Sequence, residues 1–151
     1  MEEDSTKLSE KERKLLGVDA ACGARRAGPV RVLVVDDNKD AVSLLVALLE
    51  HEGFAARGVE NGRDAMLELA EFDPDAIVSD LKMGGVSGWQ LARAVRQVGE
   101  AERPLLIAVS GEYVNGSDKI LTEMSGFHYF LSKPYDIKVL SALLAPLAGK
   151  S

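Results

Sequence analysis

Short apolar runs alternate with longer segments of helical period from Val30 onward. The apolar runs read VRVLVVDD, a weaker FAARGV, DAIVSD, PLLIAVSG and FHYFLSKP, and each one ends abruptly at polar residues. This alternation is typical of βαβ units. Hydrophobicity is continuous in the first, third and fourth runs, which favours strands that are covered on both faces, as in a parallel sheet.

Five helices are predicted between and after these strands. The first follows Asn38 as its cap and stops at Gly53, and the second begins at Asn61. Two later helices are predicted from apolar residues at helical spacing, with these inward positions: Leu91, Ala92, Val95 and Val98 in one, and Val139, Leu140, Leu143, Leu144 and Leu147 in the other. The stretch from Glu112 to Gly126 is less periodic and predicts a short helix with the inward face Ile120, Leu121 and Met124.

The order of these elements predicts an α/β fold. Right-handed crossovers give a three-layer, flavodoxin-like (βα)5 domain with a five-stranded parallel sheet in the order 2-1-3-4-5. The domain is expected over residues 29–151. Residues 1–28 are expected to be a flexible charged leader, in which a short helix at 9–16 is one option because Ser9 and Glu12 form a capping box.

Composition narrows the function classes. The chain has 151 residues and 46% hydrophobic composition, enough for one well-packed domain plus a tail. The formal net charge of −6 argues against direct binding of nucleic acid or of an anionic membrane surface. The apolar runs are short and the start lacks the pattern of a signal peptide, so a cytoplasmic location is expected. Cys22 has no second cysteine to pair with and is expected to be an inert thiol.

Polar residues gather at the predicted strand ends. The first strand ends at Asp36 and Asp37, the third at Asp80, the fourth at Ser110, and the fifth just before Lys133. Each residue alone could be a helix cap or a turn former. In the predicted order, however, strands one and three are neighbours, so three carboxylates converge on one pocket. Such a cluster repels itself unless a cation enters, and its oxygen ligands suit a hard divalent cation.

These features resemble the receiver domain of two-component response regulators, from Val30 to roughly Leu147. The resemblance rests on VVDD, SDLKMGGVSG, IAVSG and FLSKP, which occur in the right order at the strand ends. It implies that Asp80 accepts a phosphoryl group from a histidine of a sensor histidine kinase or of a histidine phosphotransfer protein.

The resemblance also implies a Mg²⁺ site. Asp37, Asp80 and the main-chain carbonyl of Lys82 would hold the ion, and Asp36 would reach it through water. Gly84 stands where the family commonly has proline. The loop is therefore expected to be looser and to hold the Lys82 carbonyl less firmly.

Further roles follow from the same resemblance. Lys133 would stabilise the phosphoryl oxygens, and Ser110 would be the switch hydroxyl that binds one of them. Phe130 matches the aromatic switch position, where the family often has tyrosine. The Lys133–Pro134 peptide bond is expected to be cis.

Several other side chains have competing interpretations. In the family, side chains at the positions of Lys82 and Glu112 modulate the lifetime of the phosphoryl group, and we hypothesise a contact between them. The alternative is two solvated surface charges. His51, near the end of the first helix, and His128, within the fifth strand, are expected to be structural or surface residues, and Trp89 is expected to pack at a helix start.

The expected function is a phosphorylation-dependent signalling switch rather than an enzyme. Phosphorylation would change the surface of the fourth helix, fifth strand and fifth helix, the 4-5-5 face, where an unknown downstream protein or a second copy of the chain could bind. Neither the four residues after Leu147 nor the leader could form an output domain. The domain would therefore act through a separate protein, in a relay, or as part of a longer chain.

Three other functions are alternatives to this switch. A phosphorylation-independent protein-binding module on the same scaffold would be indicated by a missing acid, lysine or hydroxyl, and all are present. A phosphohydrolase of the haloacid dehalogenase type would need D-x-D where this chain has SDLK. A flavin site would need a hydroxyl-rich loop where this chain has the acidic DDNKD.

Overall fold

Five parallel strands form one sheet at the centre of the fold. The computed structural model describes residues 28–83, 85, 87–98, 103–111 and 116–148. Its strands are β1 (Arg31–Val35), β2 (Ala55–Val59), β3 (Ala76–Asp80), β4 (Leu105–Ser110) and β5 (Tyr129–Ser132). They lie in the order β2-β1-β3-β4-β5, which confirms the predicted topology.

Five helices alternate with the strands. They are α1 (Lys39–His51), α2 (Gly62–Glu71), α3 (Gly88–Val98), α4 (Gly116–Met124) and α5 (Ile137–Leu144), and a 3₁₀ turn, Ala145–Leu147, follows. The (βα)5 fold is therefore confirmed. Residues Pro29–Ala145 form one compact unit, to which the following description applies. The predicted leader lies outside the described residues, so its flexibility and its helix stay predictions.

Side-chain caps begin the first two helices where the sequence predicts them. The Asn38 side chain accepts a hydrogen bond from the Ala41 N–H at 3.1 Å, and the Asn61 side chain accepts one from the Asp64 N–H at 2.8 Å. Such caps satisfy main-chain donors that have no partner within the helix. After α1 the chain turns at Gly53, whose φ of +101° suits a residue without a side chain.

The core lies on both faces of the central strands. Val32, Leu33, Val34 and Val35 of β1 are all at most 2% exposed, and β3 and β4 are buried in the same continuous way. This confirms the prediction that these strands are covered on both faces. Their buried runs end at a single edge of the sheet, where the polar residues follow.

Some predicted helix faces are wrong. In α4, Ile120 and Met124 are 59% and 78% exposed, and Leu121 of the predicted face is partly buried. Thr122, which lies outside that predicted face, is 3% exposed. The helix turns Thr122 inward because the Trp89 indole N–H donates to its hydroxyl oxygen at 2.9 Å. Val98, the last residue of α3, is 69% exposed, contrary to its predicted inward position.

Val139 and His128 also differ from the prediction, in exposure and in position relative to a strand. Val139, in the first turn of α5, is 46% exposed, while Leu140 and Leu144 of that helix are buried as predicted. His128 precedes β5 by one residue instead of lying within it, and its Nδ1 accepts from the Leu106 N–H at 3.0 Å. The imidazole there replaces a main-chain acceptor at the start of β4. Within the part of the chain that is described, no helix combines the length and the apolar character needed to cross a bilayer.

Candidate functional site

The adjacent strands β1 and β3 bring three acids together. Val35 pairs with Ser79 in the parallel register, so Asp36 and Asp80 follow at equivalent positions on neighbouring strands. One carboxylate oxygen from each of Asp36, Asp37 and Asp80 lies within 4.8 Å of the other two. The structure thus places the predicted acidic cluster in one site.

Lys133 reaches this cluster from the other side of β4. Its Nζ lies 3.1 Å from Asp36 Oδ2 and 3.9 Å from Asp80 Oδ2. The Lys133 main-chain N–H donates to the Ser110 carbonyl at 2.8 Å, which ties the base of the side chain to the end of β4. The Lys133 ammonium group therefore lies beside two of the three carboxylates, Asp36 and Asp80.

The environment of Asp80 disfavours the charged form of its carboxyl, chiefly through burial. Its side chain is 14% exposed, and burial raises the pKa of the carboxyl above its ordinary value. The Lys133 ammonium lowers this pKa, the Asp36 charge raises it, and hydrogen bonds from the main chain at Leu81 and Lys82 lower it. Because the raising effects prevail, a further positive charge would be stabilised beside Asp80.

Asp36 is buried and held by two contacts. Its side chain is 8% exposed, and besides Lys133 it accepts a hydrogen bond from the Asn38 N–H at 2.9 Å. Its charge also acts on Tyr135, whose pKa is raised by burial and by Asp36. The Asp36 carboxylate is therefore a fixed part of the site rather than a surface charge.

The donor set fits a hard divalent cation. Carboxylate oxygens close enough to share one ion are the ligands that Mg²⁺ or Ca²⁺ requires. Asp37 is exposed, whereas Asp36 is buried and Asp80 is intermediate, so the cluster opens to solvent on one side. The Lys82 side chain is exposed beside it, and the role of its carbonyl as a ligand stays a prediction.

Two other predicted residues lie at the ends of the neighbouring strands. Ser110 ends β4, is 2% exposed, and pairs in register with Ser132 of β5. Phe130, on β5, is half-buried and packs against the main hydrophobic core. The Lys133–Pro134 bond is cis, as predicted.

Other sequence predictions fall outside the described residues. These are the contact of Glu112 with Lys82, the looser loop at Gly84, and the inert thiol of Cys22. They stay hypotheses.

Gly88 is a site residue that the sequence reasoning missed. Its N–H donates to the Leu81 carbonyl at 3.0 Å. A Cβ at this position would overlap the main-chain oxygen of Asp80 and would lie 2.9 Å from Leu81 Cα. The glycine in the string SGW signals a turn before a helix, but only the folded chain shows that it lies against Asp80.

Trp89 was predicted to pack at a helix start, and it does so as the second residue of α3, against the main core. Its hydrogen bond to Thr122 was not foreseen. No periodic signal marks Thr122, because the apolar residues around it predict a different inward face.

Comparisons with known proteins agree with this geometry. The family model described as the response regulator receiver domain matches residues 32–145. Response regulator MprA of Mycolicibacterium vanbaalenii is 30% identical over 123 residues, which cover 82% of this chain and 52% of MprA. Protein PilH of Pseudomonas aeruginosa is 30% identical over 120 residues, which cover 76% of this chain and 98% of PilH. This chain therefore spans about half the length of MprA and nearly all of PilH.

A solved structure shares the fold. The crystal structure of a response regulator receiver protein from Pseudomonas putida matches with a TM-score of 0.73 and 30% identity. The match covers 80% of this chain and 99% of that one.

Proposed function

Because the chain belongs to the response regulator receiver domain family, we propose that it is a phosphorylation switch whose phosphoacceptor is Asp80. Members of this family are signalling domains of two-component systems rather than classical enzymes, and they bind Mg²⁺ through an acidic cluster. The observation that carries the proposal is the cluster itself, in which three carboxylates lie within 4.8 Å of one another and the Lys133 ammonium lies 3.9 Å from Asp80.

Asp80 is the proposed nucleophile. One carboxylate oxygen forms a bond to phosphorus while the bond from phosphorus to the donor's imidazole nitrogen breaks, and that nitrogen takes a proton from solvent. The products are an aspartyl phosphate and a neutral histidine. Hydrogen bonds from the main chain at Leu81 and Lys82 hold the Asp80 carboxylate, and Lys133 stabilises the negative charge of the phosphoryl oxygens.

The proposed cofactor is Mg²⁺. The residues that would hold it are Asp36, Asp37, Asp80 and, through its main-chain carbonyl, Lys82. When bound, the ion supplies the positive charge that the cluster lacks, so that an anionic phosphoryl group can approach three carboxylates.

The response to phosphorylation is proposed to pass through Ser110 and Phe130. The Ser110 hydroxyl would bind a phosphoryl oxygen, and Phe130 would move inward as the end of β4 shifts. Phenylalanine has no hydroxyl, so any signal from this ring depends on its packing alone. Lys82 and Glu112 are proposed to modulate the lifetime of the aspartyl phosphate by controlling the entry of water.

A histidine kinase or a histidine phosphotransfer protein is the proposed phosphodonor. An apolar groove of about 520 Å³ lies between α1 and α5 and opens beside Asp36 and Lys133. Leu44 and Leu48 of α1 line it, and they are 62% and 37% exposed. A partner helix that buried these leucines would hold its histidine near Asp80.

The groove can be tested with Leu44→Asp. With a kinase that phosphorylates the unaltered chain, this change is expected to slow transfer by roughly tenfold or more, since a charge replaces a buried apolar contact. Labelling by acetyl phosphate, which needs no docking partner, should stay within about twofold. Leu67→Asp is the matched control, because Leu67 is also 62% exposed but does not line the groove. If both variants slowed transfer from the kinase equally, the groove would not be the docking site.

The 4-5-5 face is the proposed output surface. Ile120 and Met124 on α4, Tyr129 on β5 and Val139 on α5 are all at least 45% exposed. Exposed apolar side chains on adjacent elements are typical of protein-binding surfaces. We therefore propose that a downstream protein, or a second copy of this chain, binds there.

Incubation with acetyl phosphate and Mg²⁺, followed by measurement of the intact mass, tests the central proposal. One added phosphoryl group is expected on the unaltered chain, and none on Asp80→Asn or without Mg²⁺. Absence of labelling on the unaltered chain would instead favour a phosphorylation-independent binding module on the same scaffold. Labelling that persists in Asp80→Asn would place the phosphoacceptor elsewhere.

A further inference from the structure

The first residue of α3 is locked against the proposed phosphoacceptor. Gly88 donates its N–H to the Leu81 carbonyl at 3.0 Å, and the space beside its Cα is filled by the Asp80 main-chain oxygen. A displacement of the Asp80 backbone must therefore be transmitted to the start of α3, because backbone atoms in close contact cannot move independently of one another.

The next residue carries this contact on to α4. The Trp89 Nε1–H donates to Thr122 Oγ1 at 2.9 Å, and Thr122 Oγ1 lies 2.7 Å from the Asp118 carbonyl. A hydroxyl has a single proton, and the carbonyl can only accept, so the proton points to Asp118. The Thr122 oxygen is thereby oriented as the acceptor for the indole N–H.

This bond involves the most deeply buried side chain that the structure describes on α4. Among the side chains of α4 that the structure describes, Thr122 is the one that is fully buried, at 3% exposed. Ile120 and Met124 point to solvent. Leu121 is half-buried. A helix whose described side chains bury so little apolar surface opens or shifts at low free energy, so a single buried hydrogen bond weighs heavily in its position.

We propose that the Trp89–Thr122 hydrogen bond couples the phosphoacceptor loop to α4, as a route separate from Ser110 and Phe130. The proposal rests on the proposed function of Asp80. Trp89 and Thr122 are positioning residues, because neither is part of the acidic cluster. Loss of the bond is expected to leave loading of the site intact while uncoupling α4 from it.

Amide hydrogen exchange across residues 116–124 tests the coupling, with Mg²⁺ and beryllium fluoride as the mimic of the aspartyl phosphate. In the unaltered chain, exchange in this segment should change on loading. Thr122→Val removes the acceptor at similar volume, and exchange before loading should rise by about fivefold, the factor expected for one lost buried hydrogen bond. The change on loading should then be lost or strongly reduced. Thr122→Ser keeps the hydroxyl and should behave as the unaltered chain does.

Trp89→Phe and the double variant complete the test. Trp89→Phe keeps an aromatic ring but removes the N–H, so it should reproduce the exchange of Thr122→Val, and the double variant should add nothing further. Urea unfolding and acetyl phosphate labelling establish that each variant folds and loads. Independent, additive effects of the two changes would overturn the coupling.

The experiments distinguish failure of the Trp89–Thr122 coupling from failure of Asp80 as the phosphoacceptor. If the unaltered chain takes no phosphoryl group, both proposals fail. If it is labelled, but α4 of Thr122→Val responds to loading as in the unaltered chain, only the coupling is refuted.

Discussion

Gly88→Ala should displace the backbone that carries the phosphoacceptor. The added Cβ would overlap the main-chain oxygen of Asp80 and would lie 2.9 Å from Leu81 Cα, whereas ordinary contact begins at 3.4 Å. The atoms that it meets belong to the main chain, so no side chain can rotate away. The clash can be relieved only if the loop between β3 and α3 moves.

The size of the effect follows from this displacement. Relief requires a shift of about 0.5 Å at Leu81 and more at Asp80, and forced overpacking of this kind costs about 1–3 kcal/mol of unfolding free energy. A reacting group that moves by about 1 Å can lose about 100-fold in rate. We therefore expect acetyl phosphate labelling of Gly88→Ala to be about 10- to 100-fold slower.

Gly111→Ala is the matched control, since Gly111 also lies beside the site. Its added Cβ would lie 3.5 Å from Lys133 Cδ, which is ordinary contact with a flexible side chain. Its unfolding free energy should change by less than about 0.5 kcal/mol. Urea unfolding, followed by Trp89 fluorescence, gives the stability, and intact mass against time gives the labelling rate. Unchanged stability and rate in Gly88→Ala, or equal losses in Gly111→Ala, would refute the reasoning.

Two further predictions concern the charges of the cluster. Without Mg²⁺, Asp80→Asn should be more stable to urea than the unaltered chain at neutral pH. The advantage should vanish as pH falls through the raised pKa of the folded state towards the ordinary value of 3.8. The reason is that the folded state holds the Asp80 proton more tightly than the unfolded state does. Lower stability of the variant than of the unaltered chain at neutral pH would contradict this prediction. Lys133→Met should cost about 1–3 kcal/mol in the same assay, because it leaves the buried Asp36 without its cation. As the control, Lys138→Met should lower the unfolding free energy by less than about 1 kcal/mol, since Lys138 is 72% exposed where it pairs with Glu52. Equal losses of stability in the two variants would contradict the prediction for Lys133→Met.

The fold and the composition of the site could be predicted because both depend on local patterns. Continuous apolar runs indicated buried parallel strands, and the carboxyl ends of such strands share one edge of the sheet. Given the strand order, Asp36, Asp37 and Asp80 had to meet there, as they do. The predicted cis bond at Lys133 came from the family resemblance and could not have come from periodicity.

The inward face of α4 could not be predicted in the same way. Ile120, Leu121 and Met124 are the apolar residues at helical spacing, and burial of apolar surface is the usual guide to a helix face. Here a hydrogen bond from Trp89 of another helix turns Thr122 inward instead. Such a bond joins residues 33 positions apart, so no local window of the sequence contains both partners.

The sequence by itself determined the alternation of strands and helices, the caps at Asn38 and Asn61, and the placing of acids at the strand ends. These features depend on residues near one another in the chain, whose spacing sets the backbone conformation. The tertiary structure alone decided that Gly88 closes against Asp80, that Lys133 contacts Asp36 at 3.1 Å, and that Thr122 anchors α4. Those contacts depend on how distant segments pack, and packing is set by the shapes of all the elements together.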